Sequence, residues 1–286
     1  TLGAQMMSGN PSQKEWIGYH DLNIHHIPFP YPWALNGKTG TEFLEMGLNN
    51  LQKSGVDLEN DICGFMLETF QGWGAVFYPK EFVKAIETIC KKNNLLLSFD
   101  EMQSGFARTG KKFGYEHYEV QADLLCCGKG IASGFPLSAV IGTAEIMDLP
   151  EVGNMSSTHS ANPFVCAAGM ATLEEIDRLN LVNETNRKGL IFHQKLNELK
   201  LKYSENISFV FGQGLLAALI FKLPNTNDPE THLPSIISEK AMQKGLLVVH
   251  TGRESIKLAP PLTISDEALV EGINVLDESI SEVLNN

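Results

Sequence analysis

The sequence is poor in basic residues, in cysteine and in long apolar runs, and each shortage removes a class of protein. Its 22 Lys+Arg stand against 34 Asp+Glu, a formal net charge of -12, and no dense basic cluster offsets the excess. A nucleic-acid backbone or an anionic membrane surface is therefore not an expected partner. No apolar run approaches the ~20 residues needed to cross a bilayer, and the opening TLGAQMMSGN lacks the basic and apolar regions of a secretory signal. The five cysteines are odd in number and scattered. Cys63, Cys126 and Cys127 lie in apolar runs and read as buried, reduced thiols of a cytoplasmic protein, not as a disulfide framework. No repeat with a period of about 20–50 residues is present, which argues against solenoids and propellers. What is there is ordinary for a folded chain: 43% hydrophobic and 20% charged over 286 residues, enough for one large or two medium domains. The chain begins with Thr1 where a complete reading frame would begin with Met.

The pattern along the chain is α/β. Three short apolar runs, Ile62 to Leu67, Leu95 to Phe99 and Leu124 to Cys127, read as buried strands. Between the first two, Pro79 suits a helix start, and Phe82, Ile86 and Ile89 follow on one face. Strand, helix, strand implies parallel pairing with a crossover. Asn162-Pro163 can cap a helix through Leu179 that carries Leu173 and Ile176 toward a core, and another helix is expected over Asn183 to Leu199. Gly212 and Gly214 separate two runs, including Leu215 to Phe221, that suggest an antiparallel pair. A helix from Pro234 to Lys244 should stop at Gly245, with a strand over Leu246 to Val249 after it. The last helix begins at Ser265 with the stripe Leu269, Ile273, Leu276, Ile280 and Val283. A domain boundary is expected near residue 170, giving a large domain over 1–170 and a small one over 171–286.

The candidate chemistry stands at strand ends. Glu68 follows the first predicted strand, Asp100 and Glu101 the second, and Gly128-Lys129-Gly130 the third, and open parallel sheets gather ligands outside the carboxyl ends of their strands. A lysine between glycines can approach a ligand closely and, once desolvated, act as an amine nucleophile. Its plainer reading is a solvated loop lysine. Asp100 reads either as a cap for the next segment or as a fixed anion facing a cationic ring. Together Asp100 and Lys129 describe what pyridoxal phosphate requires: a Schiff-base lysine and an acid that keeps the pyridine nitrogen protonated. The GxxxxGK[ST] phosphate loop is absent, since Gly130 follows Lys129. His25-His26, with His20 upstream, lies in a Pro-rich stretch without Cys or carboxylate at ligand spacing, so no metal site is expected. His117 and His159 read as structural, and Arg108 and Arg253 most simply as surface charges.

The stretch SFDEMQSGFARTGKKFGYEHYEVQADLLCCGKGIASGFPLSAVIG, Ser98 to Gly142, closely resembles the signature of class III aminotransferases, the ω-amino-acid transaminase group of fold type I pyridoxal-phosphate enzymes. TLGAQMMSGNP at the start, MLETFQGWGAVFYP from Met66, STHSANPFVCAAG from Ser157 and KLAPPLTIS from Lys257 fall in the family's order. The resemblance implies a mixed, mostly parallel sheet sandwiched by helices, followed by a smaller C-terminal α+β domain. It implies pyridoxal 5'-phosphate as cofactor and amino transfer from an amine or ω-amino acid to a 2-oxo acid. By the same resemblance Lys129 is the lysine that bonds the cofactor and shuttles the proton, Asp100 the pyridinium partner, Gln103 the donor to the phenolic oxygen, and Met102 the residue beneath the ring. Thr158 matches a threonine that reaches the phosphate of a neighbouring subunit's cofactor, which implies a homodimer with shared active sites.

Two departures stand out. Family members acting on amino or keto acids usually carry Arg where this chain has Lys257, and a point-charge ammonium does not replace a planar fork that grips a carboxylate with two hydrogen bonds. Glu68 matches the acid that often pairs with that arginine, and Arg253 is a candidate compensating guanidinium. Some phospho-lyases of the family carry Lys there, which keeps a lyase, or an aminomutase, as the alternative reaction. Secondly, the Ser/Thr-rich phosphate loop and the ring-stacking aromatic that precede these motifs in the family are absent. The chain thus looks as if it lacks the family's N-terminal third. A catalytically incomplete fragment is the third hypothesis, with weak cofactor binding as its expected mark.

Overall fold

The computed structural model describes residues 2–19 and 23–285. His20, of the three histidines weighed above as a metal cluster, lies outside them. The chain divides into two compact units, Thr1–Phe65 with Tyr78–Leu96, and Met66–Phe77 with Leu97–Asn286.

The first unit holds helices α1 (Leu2–Met7), α2 (Gly40–Lys53) and α3 (Lys80–Asn93). Thr39 and Glu42 close a reciprocal capping box at the start of α2, so two otherwise orphaned amides are satisfied there. Gly40 is required by contact: a Cβ would lie 2.9 Å from that of Pro79 and 3.0 Å from that of Phe82, the two residues that open α3. Pro79 takes the cap position one residue before α3, as its fixed φ favours, and the stripe Phe82, Val83, Ile86 and Cys90 is buried. The Pro-rich segment ahead of α2 is irregular and held by ring contacts among Phe29, Tyr31, Trp33 and Tyr78.

A four-stranded sheet carries the three strand ends. Its order is β1 (Gly64–Glu68), β4 (Leu96–Asp100), β5 (Leu124–Cys127), β6 (Ala139–Gly142), with β2 (Phe70–Gln71) and β3 (Val76–Phe77) forming a separate hairpin. β4 and β5 run parallel with Asp100 beside Cys126, and β6 returns antiparallel to β5. The parallel pair and its antiparallel neighbour make this the mixed α/β sheet expected from the motifs. The strand over Leu124–Cys127 falls where the apolar run puts it, while β1 and β4 start one or two residues later than their runs. Cys127 is buried, but Cys63 precedes β1 and is exposed, which corrects its reading as a buried thiol.

After α4 (Ala144–Met147), α5 (Pro163–Arg178) begins with the Asn162 side chain accepting from the Phe164 amide. Ile176 is buried on α5, whereas Leu173 is 39% exposed and does not reach the core its spacing suggested. Then follow α6 (Leu181–Lys202), β7 (Ile207–Gln213), β8 (Leu216–Phe221), α7 (Leu233–Gln243), β9 (Val249–His250), β10 (Ser255–Leu258) and α8 (Asp266–Asn285). The strands form an antiparallel sheet in the order β7, β8, β10, β9. β8 is buried on both faces. Ala217, Leu219 and Phe221 join the core beneath α6 and α8, while Leu216, Ala218 and Ile220 pack with Phe70 and Ala75. Alternation of side chains across a strand explains why this run is continuously apolar. The stripe of α8 is buried from Leu269 to Ile280. Of the strand expected over Leu246 to Val249, only its last residue pairs, in β9; Leu246 instead packs against the core as the chain leaves α7 through Gly245, at φ 90.

Candidate active site

Lys129 stands directly past the end of β5 and opens a short 3-10 turn, Lys129–Ala132. Its φ of 45 is left-handed, a conformation that costs a non-glycine residue on the order of 1–2 kcal/mol and persists where its surroundings impose it. The side chain is exposed and borders a cavity of about 640 Å3 that Met102, Gln103 and Lys257 also line. Gly128 and Gly130 differ in kind. A Cβ on Gly128 would overlap the Met102 sulfur, whereas nothing lies within 4 Å of one on Gly130. The first glycine seats Met102 and the second leaves space over the lysine.

Asp100 ends β4 and uses one carboxylate oxygen to accept from the Met102 amide at 2.9 Å. That is the cap of its plainer reading, and it leaves the second oxygen without a hydrogen bond among the described residues. Glu101, the next residue, points the other way. Fully buried, it accepts from Thr69 Oγ1 at 2.6 Å, Ser104 Oγ at 2.7 Å, and the Gly114 and Tyr115 amides at 2.8 and 2.7 Å. Successive residues of a strand face opposite sides, so Glu101 is a structural hub turned away from Asp100.

Lys257 comes from β10. Its ammonium donates to the Gly72 carbonyl at 2.8 Å and to Gln103 Oε1 at 2.9 Å. Burial holds its pKa below the usual lysine range and Lys129 adds to the lowering, while Glu68 opposes both. Glu68 is exposed as a residue, yet the protein mass around its carboxyl, and then Asp100, push its pKa up, against the Gly72 amide, Lys129 and Lys257. Lys129, Asp100, Glu68 and Lys257 therefore share one electrostatic neighbourhood. Glu68 and Lys257 act on each other as charges; the ammonium's hydrogen bonds go to Gly72 and Gln103. Thr158 does not join them: residues 151–164 are exposed throughout, and Thr158 is not among the cavity's lining.

Two basic residues make contacts beyond their plainest reading as surface charges, and for Arg108 the family resemblance already implied a loop near the active-site entrance. Arg108 is no surface charge: its Nη1 donates to the Leu215 carbonyl at 2.9 Å and the Pro260 carbonyl at 2.6 Å, and burial brings its pKa down to about 10. It ties the loop after β4 to the β7–β8 turn and to the Pro260-Pro261 segment, and it lines the cavity. Arg253 lies over the Trp73 ring, 4.0 Å from its centroid, beside Glu254.

The family match decides what this constellation belongs to. The sequence profile described as Aminotransferase class-III matches residues 2–280. The chain belongs to the class-III aminotransferase family. An acetylornithine aminotransferase of Caldanaerobacter subterraneus is 33% identical over 242 residues, 84% of this chain and 59% of the relative. A 4-aminobutyrate aminotransferase of Mycobacterium leprae is 34% identical over 279 residues, 94% of this chain and 62% of the relative. The crystal structure of acetylornithine aminotransferase from Elizabethkingia anophelis superposes with a TM-score of 0.72 at 33% identity, covering 82% of this chain and 60% of that one. This class-III chain thus spans about three fifths of the length of the relatives it matches. The match accounts for the fold and for the order of the motifs.

Proposed function

We propose that this chain binds pyridoxal 5'-phosphate through Lys129 and moves an amino group from an amine or ω-amino acid to a 2-oxo acid. The observation that carries the reading is the grouping of Lys129, Met102, Gln103 and Lys257 around one cavity, with Asp100, at the end of β4, bonded to the Met102 amide beside it. The donor set fits the cofactor. It offers an accessible amine, a carboxylate with one unengaged oxygen, an amide whose NH2 is unpaired among the described residues, and a thioether seated by Gly128. When bound, pyridoxal phosphate supplies a conjugated ring that draws electrons from the amine-bearing carbon of a substrate.

Lys129 would hold the cofactor, and its amine would carry the proton from the substrate carbon to the cofactor side of the bound pair. Asp100 would face the ring nitrogen with the carboxylate oxygen that the Met102 amide leaves free. Gln103 would donate its NH2 to the cofactor's phenolic oxygen, and Met102 would supply an apolar contact to the ring. Glu68 and Lys257 face the substrate side. The acetylornithine and 4-aminobutyrate aminotransferases support an ω-amino donor. We place the work in a homodimer in the cytoplasm, with 1–170 as the cofactor domain and 171–286 as the small domain. The five free cysteines suit a reducing compartment, and the exposure of Thr158 suits a residue that serves a neighbouring subunit. A second reading, a lyase or aminomutase on the same scaffold, is favoured by Lys257 standing where a planar guanidinium would grip a carboxylate.

The test is the visible absorbance of the protein titrated with pyridoxal phosphate, together with the consumption of a 2-oxo acid. Lys129→Ala is expected to abolish the band and the transfer. An acceptor consumed in step with the amine marks transamination, whereas amine turnover that leaves the acceptor untouched selects the second reading.

A further inference from the structure

The Lys257 ammonium is committed to the protein. An ammonium carries donors only, so the part of the Gln103 amide that faces it at 2.9 Å has to be the oxygen. An amide that could otherwise flip is thereby fixed, and NH2 is the group Gln103 has left to offer. Nε2 lies near Gly72, where an added Cβ would sit 3.2 Å from it, and has no hydrogen-bond partner among the described residues.

The support beneath Lys257 is rigid. β10 lies between β8 and β9, with Lys257 opposite Ala218 on one side and Val249 on the other. The 71–74 turn that receives the ammonium is held by Gln71 Oε1, which accepts from the Trp73 and Gly74 amides, both at 3.1 Å. A second strut runs from β10 to the same turn, Ser255 Oγ donating to the Trp73 carbonyl at 3.0 Å. Lys257 thus spans two fixed points, a tethered carbonyl and the amide of Gln103.

We propose that Lys257 is a positioning residue, which turns the NH2 of Gln103 toward the cofactor, and is not a clamp for a substrate carboxylate. The inference rests on the functional reading above and deepens it. An ammonium already shared between two acceptors, and desolvated beside Lys129, has little left to give a carboxylate.

The experiment measures the Kd of pyridoxal phosphate by absorbance titration of the cofactor-free protein, with KM for a 2-oxo acid alongside. Lys257→Met and Gln103→Ala are each expected to raise the Kd about tenfold, the scale of one hydrogen bond to a charged group. The double variant should bind no more weakly than Gln103→Ala, because the lysine acts through the glutamine. Lys257→Arg, which keeps a donor for Oε1, should restore most of the affinity and shows that the site still folds. Additive losses would overturn the proposal, as would a rise in KM for the 2-oxo acid at unchanged cofactor Kd. If the parent protein develops no visible band, the functional reading fails and this inference falls with it. A parent that binds normally beside a Lys257→Met variant of equal Kd removes the inference alone.

Discussion

Two histidines bear on how the stability of this molecule responds to falling pH. His193, on α6, has Nε2 3.1 Å from the Gly214 carbonyl, and His117 has Nε2 3.1 Å from both the carbonyl and the hydroxyl of Thr109. Burial lowers the pKa of each, and bonds to those carbonyls only partly oppose it. A histidine whose folded pKa lies below its unfolded value binds its proton more readily once the chain unfolds. Its contribution to stability is present above the unfolded pKa of about 6.5 and is lost as pH falls through the folded value. Urea midpoints should therefore be flat from neutral to mildly alkaline pH and decline below about pH 6.5. Replacing His193 with Asn should shrink that decline while costing some stability at neutral pH; an unaltered slope in both His193→Asn and His117→Asn would assign the acid sensitivity elsewhere. Neither effect was visible in the sequence beyond the bland reading of His117 as structural, because burial of a polar ring depends on how other segments pack over it.

At the scale of elements, what could be read in advance was local. The cap at Asn162, the stop at Gly245 and the stripe of α8 are set by neighbouring residues, and they stand where the sequence puts them. The three strand ends were legible for the same reason, and with them Lys129, Asp100 and Glu68. The misplacements came from pairing and facing. Leu246 leaves its predicted strand because no neighbour offers it a ladder, and Leu173 faces away from the core its spacing suggested. Cys63 is exposed because β1 starts one residue after it. Glycines sharpen the distinction, since two of them meet different obstacles. At Gly212 φ is 122 and a Cβ would overlap the Leu216 backbone carbonyl; at Gly128 it would overlap the tip of a flexible Met102. Gly212→Ala should thus lower stability by about 2 kcal/mol or more through the β7–β8 hairpin, at a conformation alanine rarely adopts. Gly128→Ala should cost less stability and act on the site, displacing Met102 and weakening pyridoxal phosphate binding. Thermal denaturation beside a cofactor titration separates the two, and equal stability losses would show that Met102 cannot give way.

For the whole molecule, the arrangement of exposed apolar side chains bears on assembly. Between α4 and the first turns of α5 the surface carries Leu149 at 78% exposure, Met155 at 81% and Phe164 at 70%, with Val152 fully exposed among them. Large apolar side chains concentrated in one segment are a feature of association surfaces more than of free ones. The segment also contains Thr158, so under the proposal made above that Thr158 serves a neighbouring subunit, the occupant would be a second copy of this chain. Each copy carries a net charge of -12, and the mutual repulsion of two such chains falls as salt screens it. Sedimentation velocity should accordingly find a dimer whose dissociation constant tightens as ionic strength rises, the opposite of what an interface held by salt bridges would show. Val152→Glu with Met155→Glu should give a monomer that keeps its secondary structure, since neither side chain contributes to a core. A dimer that survives both substitutions, or one that weakens with added salt, would place the interface on another surface and leave Thr158 without its proposed role.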